Sequence, residues 1–396
     1  MKILYLVPHV PNPTKIRSYM HVNGLLEAGH DLTVVTLERT PQDTRYIEKL
    51  RARDVRVISV PIGKLRLLTN TLSVLPTRHP LQSRLFWSNH LMNLIENHIR
   101  VHPPDVIHVE HLRMAGYGIK LAQQGPVVFD AVDAISQLYQ HAARKSVNLP
   151  LRLISILEAP RLQLYEQRLT SYFPVTTVIS ADDERIFRRN TQYADRVRVI
   201  PMGVPLTAPP DTETQRADNM LIITGTWNYH PNVAAAHHFV KHILPLVQAR
   251  KPDIRLQIVG ANPAPSIQKL ASAAIEVTGF VTSIHDYLRR ATIAVAPITY
   301  GAGMQIKVLE AFMTATPLVA TQVALRGLDV RNGEHVQVAN TPEEFAATLL
   351  NLLDDASERN RLGAAGRHYI EKHHDLRTTI GQLSAAYQDA ITAFGS

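Results

Sequence analysis

Cysteine is absent from the 396 residues. No disulfide, thiolate nucleophile or cysteine-ligated metal can be built, and the reducing cytoplasm is the expected compartment. Long hydrophobic runs are missing as well. The opening Met1-Lys2-Ile3-Leu4-Tyr5-Leu6-Val7-Pro8 is apolar over about six residues, short of a signal h-region or of the roughly 20 needed to span a bilayer. It reads as a buried first strand. Asp-x-Asp does not occur, so a metal-held diphosphate is not indicated, and neither a Walker loop nor G-x-G-x-x-G is found. His238 and His242 stand four apart but lack the H-E-x-x-H glutamate, so no metal site is expected.

The length suits two domains of about 200 residues each. Hydrophobic residues make up 45% and charged residues 19%, the composition of a folded protein. The net charge of +8 is unevenly placed. Residues 1–205 hold 26 Lys+Arg against 17 Asp+Glu, whereas residues 206–396 hold 16 against 17. A basic first half suggests an anionic partner: phospholipid headgroups, a pyrophosphate-linked lipid or nucleic acid. No recognisable nucleic-acid module accompanies the charge, so no nucleic acid is expected. A basic proteome background accounts for the charge equally well.

Along the first half, short apolar segments alternate with helical ones. Lys2–Val7, Asp31–Leu37, Val55–Val60, Asp105–Val109, Val127–Asp130 and Val175–Ile179 read as strands, and Tyr19–Ala28 as a helix stopped by Gly29. This pattern predicts a parallel sheet covered on both faces. Residues 61–100 break it. Leu65, Leu67, Leu68, Leu72, Leu75, Leu85, Phe86 and Trp87 are interleaved with Lys64, Arg66, Arg78 and Arg84. Such a segment fits either a surface that leans on an anionic bilayer or an inserted helix pair with its own small core. Prolines 201, 205, 209 and 210 mark a linker, after which strand and helix signals alternate again. The expected fold is α/β, with two doubly wound, Rossmann-like domains facing a cleft. The expected bounds are 1–203 for an acceptor-side domain, 204–375 for a donor domain, and 376–396 for a helix crossing back to the first domain.

The most informative stretch is Ala296-Pro297-Ile298-Thr299-Tyr300-Gly301-Ala302-Gly303-Met304-Gln305-Ile306-Lys307-Val308-Leu309-Glu310-Ala311. A buried strand ends at Pro297, a glycine pair follows, and a helix begins. Ligands of open α/β sheets bind at the carboxyl ends of strands. A helix N-terminus there favours a phosphate. Lys307 and Glu310 lie three apart and share a face, a cation for a diphosphate and a carboxylate for a ribose diol. An exposed Lys/Glu surface pair has the same spacing.

G-A-G-x-x-x-K-x-x-E-A followed by Pro317-Leu318-Val319-Ala320-Thr321 resembles the donor-site signature of family-four glycosyltransferases of GT-B architecture. Val199–Val204, Gly225-Thr226-Trp227 with Pro231-Asn232, Leu256–Gly260, Thr278–Val281 and Gly29–Thr36 fall in the family's order. The resemblance implies retaining transfer from a nucleoside-diphosphate sugar, a co-substrate rather than a bound cofactor. It implies that Glu310 holds the ribose, that Gly301, Ala302, Gly303 and Met304 meet the diphosphate and sugar, and that Gly260, Gly279, Phe280 and Val281 line the base. Gly225 and Lys307 complete the donor set. Lys307 counts among the catalytic candidates because the departing diphosphate gathers negative charge.

Three departures are visible. Ala302 stands where many relatives carry a glutamate. The Arg and Lys usual after Gly225 are missing. Pro11–Arg17 replaces a glycine pair, which makes Lys15 and Arg17 candidates for a donor or acceptor phosphate. In the first domain, Glu110 and His111 follow a strand and are candidates for an acid/base or polar orienter of the acceptor hydroxyl, with Asp133 a further cleft candidate. The basic and apolar residues of the first domain favour an acceptor that is lipid-linked or an envelope polysaccharide, met at the inner face of the membrane. An epimerase of the same architecture and a non-catalytic sugar- or lipid-binding protein are the competing readings.

Overall fold

The computed structural model describes residues 1–145, 149–189, 191–206, 216–300 and 304–395. The chain divides into two compact units, Met1–Pro205 with Leu376–Ser396, and Leu206–Asp375.

The first unit is built on seven parallel strands: β1 (Lys2–Leu6), β2 (Asp31–Glu38), β3 (Arg56–Pro61), β4 (Val106–Glu110), β5 (Val127–Val132), β6 (Val175–Val178) and β7 (Val197–Val199). Their order is β3-β2-β1-β4-β5-β6-β7. Period-two alternation sends β1 side chains to opposite faces. Leu4 and Leu6 pack with Val35, Ile107, Val109 and Phe129 on one side. Ile3 and Tyr5 pack with Val34, Val106 and Val128 on the other. The helix Leu376–Gly395 closes the second face with Ile380, Leu383, Ala386 and Tyr387. At the N-terminus the structure departs from expectation. The helix expected from Tyr19 begins at Ile16. The Asn12 side chain accepts from the Thr14 N–H at 2.9 Å and from its hydroxyl at 2.6 Å, closing a turn that launches the helix early.

Two segments of this unit present apolar residues to solvent. The helix Lys64–Leu72 buries none of its residues. The helix Leu149–Tyr172 is inverted over its first half: Ser155 and Glu158 point inward while Leu153, Ile154, Ile156 and Leu157 are exposed.

The second unit carries β8 (Met220–Thr224), β9 (Arg255–Val259), β10 (Ile275–Gly279), β11 (Ile293–Ala296), β12 (Leu318–Ala320) and β13 (Gln337–Val338). All are parallel, in the order β10-β9-β8-β11-β12-β13. Strand order therefore reverses between β8 and β11, which opens a crevice at their carboxyl ends. The helix Ile306–Met313 follows β11 and buries Val308, Leu309, Ala311, Phe312 and Met313. The helix Ala356–His373 seats it. A Cβ on Gly363 would lie 2.2 Å from the Ala315 carbonyl oxygen, so only glycine permits this approach.

Candidate functional site

The crevice of the second unit gathers the residues singled out in the sequence. Thr224 ends β8, and its hydroxyl lies 3.5 Å from Glu310 Oε2. Lys307, in the first turn of the helix Ile306–Met313, donates from Nζ to Asn232 Oδ1 at 2.7 Å and to Gln305 Oε1 at 3.3 Å. Asn232 is itself fixed, its Nδ2 donating to the Thr226 carbonyl at 3.0 Å. Both charged side chains are half-buried. Burial pushes the Glu310 carboxyl up, against Lys307 and the Thr224 hydroxyl. Burial likewise lowers the Lys307 ammonium to about 8, partly offset by Glu310. Lys307 and Glu310 are thus a constrained pair in a crevice and not a solvated surface pair.

Gly225, Gly260 and Gly279 sit at the ends of β8, β9 and β10. Gly260 has φ +138°, and a Cβ there would stand 1.9 Å from the Gly225 carbonyl oxygen. The absence of a side chain at Gly260 lets the two strand-end loops approach, and the absence of one at Gly225 makes room for Asn232, whose Nδ2 would lie 2.8 Å from a Cβ there. Phe280 projects with 78% of its surface exposed, next to the half-buried Val281. Met304 is half-buried beside the helix start. Gly301, Ala302 and Gly303 lie outside the described residues.

Asn232 and Thr224 are the crevice residues that the motif did not assign to the site. Asn232 was visible only as part of a Pro231-Asn232 landmark. Its role follows from position, on the helix His230–His238 that rises from β8. Tyr300 and His230 form a further hydrogen-bonded pair at the exposed end of β11 and of that helix.

In the first unit, two expected residues prove to have other employment. Arg17 is not a loop cation. The early start of its helix turns it inward, where Nε and Nη2 reach the two Asp130 oxygens at 2.8 and 3.0 Å. Only 5% of Arg17 is exposed. Burial alone would raise the Asp130 carboxyl, but Arg17 holds it well below the usual range. Glu110 is also buried and accepts from the Tyr5 hydroxyl at 2.5 Å. Burial, together with Asp130, raises its carboxyl to about 8. His21 meets the Tyr5 hydroxyl at 3.1 Å, and His108 meets the Tyr387 hydroxyl at 3.0 Å. His21, His108, Glu110 and Asp130 offer donor atoms within 4.8 Å of one another. Arg17 already supplies the positive charge on Asp130, so the group is an internal polar network beneath the strand ends. It fixes β1, β4 and β5 to their covering helices.

His111, by contrast, stands half-buried just beyond β4, with φ +74°. Its Nδ1 accepts from the Arg113 N–H at 3.2 Å. Burial, then Arg113 and His9, push its pKa well down. The ring is therefore neutral, with Nε2 carrying the proton as a donor. Lys15 is exposed ahead of the first helix. Asp133 is half-buried past β5, its carboxyl raised to about 6 by burial and Asp183.

Residues 218–355 match the family described as glycosyl transferases group 1, and residues 16–203 match the glycosyl transferase 4-like domain. A phosphatidyl-myo-inositol mannosyltransferase of Mycobacterium leprae is 27% identical over 157 residues, 38% of this chain and 42% of that protein. A Klebsiella pneumoniae protein known only as a 44.6 kDa protein in the cps region is 24% identical over 195 residues, 46% of this chain and 50% of that one. The chain thus spans about half the length, or less, of these relatives. Among solved structures, sucrose-phosphate synthase from Thermosynechococcus elongatus superposes with a TM-score of 0.71 at 15% identity, over 99% of this chain and 100% of that one. The Anabaena protein HepE, in complex with UDP and glucose, gives 0.66 at 14% identity over 98% and 99%. Together with two doubly wound parallel sheets, these matches place the chain among the family-four-type glycosyltransferases of GT-B architecture.

Proposed function

We propose that this protein transfers a sugar from a nucleoside-diphosphate sugar to an acceptor hydroxyl, with retention and without a metal. The observation that carries the reading is the Lys307–Glu310 pair, set opposite Thr224 at the reversal point of the second sheet. The nucleotide diphosphate lies at the start of the helix Ile306–Met313, where free amides and Lys307 balance its charge. That arrangement replaces the usual metal. Glu310 accepts two hydrogen bonds from the ribose diol, and Phe280 offers a face for the base. As the bond to the anomeric carbon breaks, charge collects on the leaving diphosphate, and Lys307 stabilises it. Glu310 is occupied by the ribose, and Glu110 is buried in its network. Neither is free to act as a nucleophile, which supports front-face substitution. His111, neutral and donating from Nε2, orients the acceptor.

The acceptor is lipid-linked or an envelope glycan, met at the inner face of an anionic membrane. Among the described residues no helix is long and apolar enough to cross a bilayer. Peripheral contact through the first unit is supported by its exposed apolar helices. Leu65, Leu68 and Leu72 on one, and Leu149, Leu153 and Leu157 on the other, are each at least half exposed. Residues 55–95 and 134–157 contain no acidic residue, while Lys64, Arg66, Arg78, Arg144 and Arg152 are exposed. Apolar side chains among cations only suit an anionic bilayer and repel a second copy of the same surface.

Calorimetric titration of Glu310→Gln with UDP-, GDP-, TDP- and ADP-sugars tests the donor site. Loss of a charged hydrogen-bond acceptor predicts affinity about 10- to 100-fold weaker for the donor that binds. Unchanged affinity removes Glu310 from the site. An isomeric nucleotide sugar formed without acceptor overturns transfer in favour of epimerisation.

A further inference from the structure

The first sheet has a reversal point of its own, between β1 and β4. The loops leaving β1, β2 and β4 bring His9 and Lys15, Arg39, and His111 and Arg113 to that crevice. Phe86, from the segment before the helix Asn89–Val101, forms the shared support. The guanidinium carbons of Arg39 and Arg113 each lie 5.4 Å from the centre of its buried ring. Arg113 is further aimed by Gln82, whose Oε1 accepts from its Nε at 2.8 Å.

Cations predominate here, with Asp43 acting on Lys15 and Asp133 on Arg113 at longer range only. Among the described residues, Lys15, Arg39 and Arg113 have no acidic hydrogen-bond or ion-pair partner. The acid nearest in sequence to Arg39, Asp43, is spent capping the next helix, its Oδ2 accepting the N–H groups of Arg39 and Thr40 at 2.8 Å. Burial and then Arg39 and Arg113 depress the Lys15 ammonium, so the three cations feel one another. Burial, followed by Lys15, Arg113 and Arg39, drives His9 down to about 3 and leaves it neutral. The helix Ile16–Glu27 starts directly after Lys15. It has no capping side chain and no acidic residue in its first turn, although both would relieve its positive end. Three convergent cations, two neutral imidazoles and an uncapped helix end outweigh Asp43 and Asp133, and form a site with an excess of positive charge that an anion would neutralise.

We propose that this crevice binds a phosphoryl group carried by the acceptor. The word acceptor rests on the transfer reading; the anion site rests on first-unit residues alone. Arg39 and Arg113 form the two-sided clamp, Lys15 and the helix amides face the remaining oxygens, and His9 and His111 donate from neutral rings. A donor diphosphate presents the same chemistry, so the test separates the two sources. Wild type, Arg39→Gln/Arg113→Gln and Lys307→Ala are titrated calorimetrically with inorganic phosphate and with glycerol 3-phosphate, each with and without saturating nucleoside diphosphate. Binding weakened at least tenfold in the double variant, but kept in Lys307→Ala and in the presence of the nucleotide, supports an acceptor-phosphate site. Binding abolished by the nucleotide, or lost in Lys307→Ala, assigns the anion to the donor and overturns the proposal, as does unchanged binding in the double variant. Should the double variant fail to fold, Lys15→Gln changes one exposed side chain; phosphate binding weakened at least threefold supports the site, and unchanged binding overturns it. Absence of any sugar transfer would sink the enzymatic reading while leaving phosphate binding standing.

Discussion

Lys307 makes the donor site's dependence on pH a direct test of its role. Burial lowers its ammonium to about 8, well under the ordinary lysine value. At pH 7 about nine-tenths of the lysine is charged; at pH 9 about one-tenth is. If the diphosphate needs the cation, affinity falls roughly tenfold between pH 7 and pH 9, about 1.4 kcal/mol, most of it above pH 8. The fall is bounded by the worth of one charged hydrogen bond, roughly 1.5–3 kcal/mol. Stability of the free protein moves the other way. The folded value lies below the unfolded one, so the unfolded chain binds more protons between about pH 8 and the unfolded lysine value, and this group favours folding more as pH rises through that window. Affinity and thermal stability should therefore diverge above pH 8. Titration calorimetry with a nucleoside-diphosphate sugar from pH 7 to 9.5 reads the first, and scanning calorimetry of the free protein reads the second. Lys307→Arg, charged throughout, should bind with no such break, and any slope left in it belongs to the ligand. A wild-type affinity that is flat across the window, or a break that persists in Lys307→Arg, refutes the role given to this lysine.

Three further outcomes are expected. Gly260→Ala forces a Cβ to 1.9 Å from the Gly225 carbonyl oxygen at φ +138°; overpacking and backbone strain together should cost about 2–5 kcal/mol and abolish nucleotide binding, read by scanning and titration calorimetry. Arg17→Met leaves Asp130 buried without its cation; a loss of about 3–5 kcal/mol in denaturant unfolding is expected, and a neutral result would return Arg17 to the list of phosphate ligands. Leu153→Ser/Leu157→Ser removes two exposed apolar side chains; co-sedimentation with vesicles rich in anionic phospholipid should fall while the melting temperature holds, and undiminished sedimentation would place the membrane contact elsewhere.

Much of the fold was legible because its strands are short, apolar and separated by helical segments. All six strands read in the first half fall in the first sheet, and the fold class follows from that alternation. The second unit's last strand was not legible, since Gln337–Val338 is too short to carry a pattern. The helix Leu149–Tyr172 escaped for a different reason. Its apolar residues face outward over the first half, so periodicity points away from the core. At the site, Lys307 and Glu310 were legible from spacing because a helix turn fixes which residues share a face. Asn232 was not, because its contact with Lys307 joins residues 75 positions apart. Arg17 misled for a one-turn reason: the Asn12 turn starts the helix at Ile16, and the side chain expected in solvent enters the sheet.

The burial of Arg17 changes what the first unit can offer a ligand. Had Arg17 faced the crevice, its cation would have joined Lys15 in a simple basic loop. Paired with Asp130, it instead neutralises the interior and leaves the strand-end loops to supply the binding charge. Those loops draw it from Arg39 and Arg113, which lie far from each other in sequence and meet over Phe86. Glu110 follows the same division. It serves the interior through Tyr5, and His111, one residue later, reaches the crevice. The reversal of backbone at His111, φ +74°, is what separates the two roles. A residue there that resists the left-handed region, such as valine, should straighten the strand end and turn Arg113 away from Phe86. His111→Val should then weaken phosphate binding through Arg113 more than His111→Gly, which loses the same imidazole but adopts φ +74°, ψ +144° without strain. Equal losses in the two variants would mean that the imidazole matters and the turn does not.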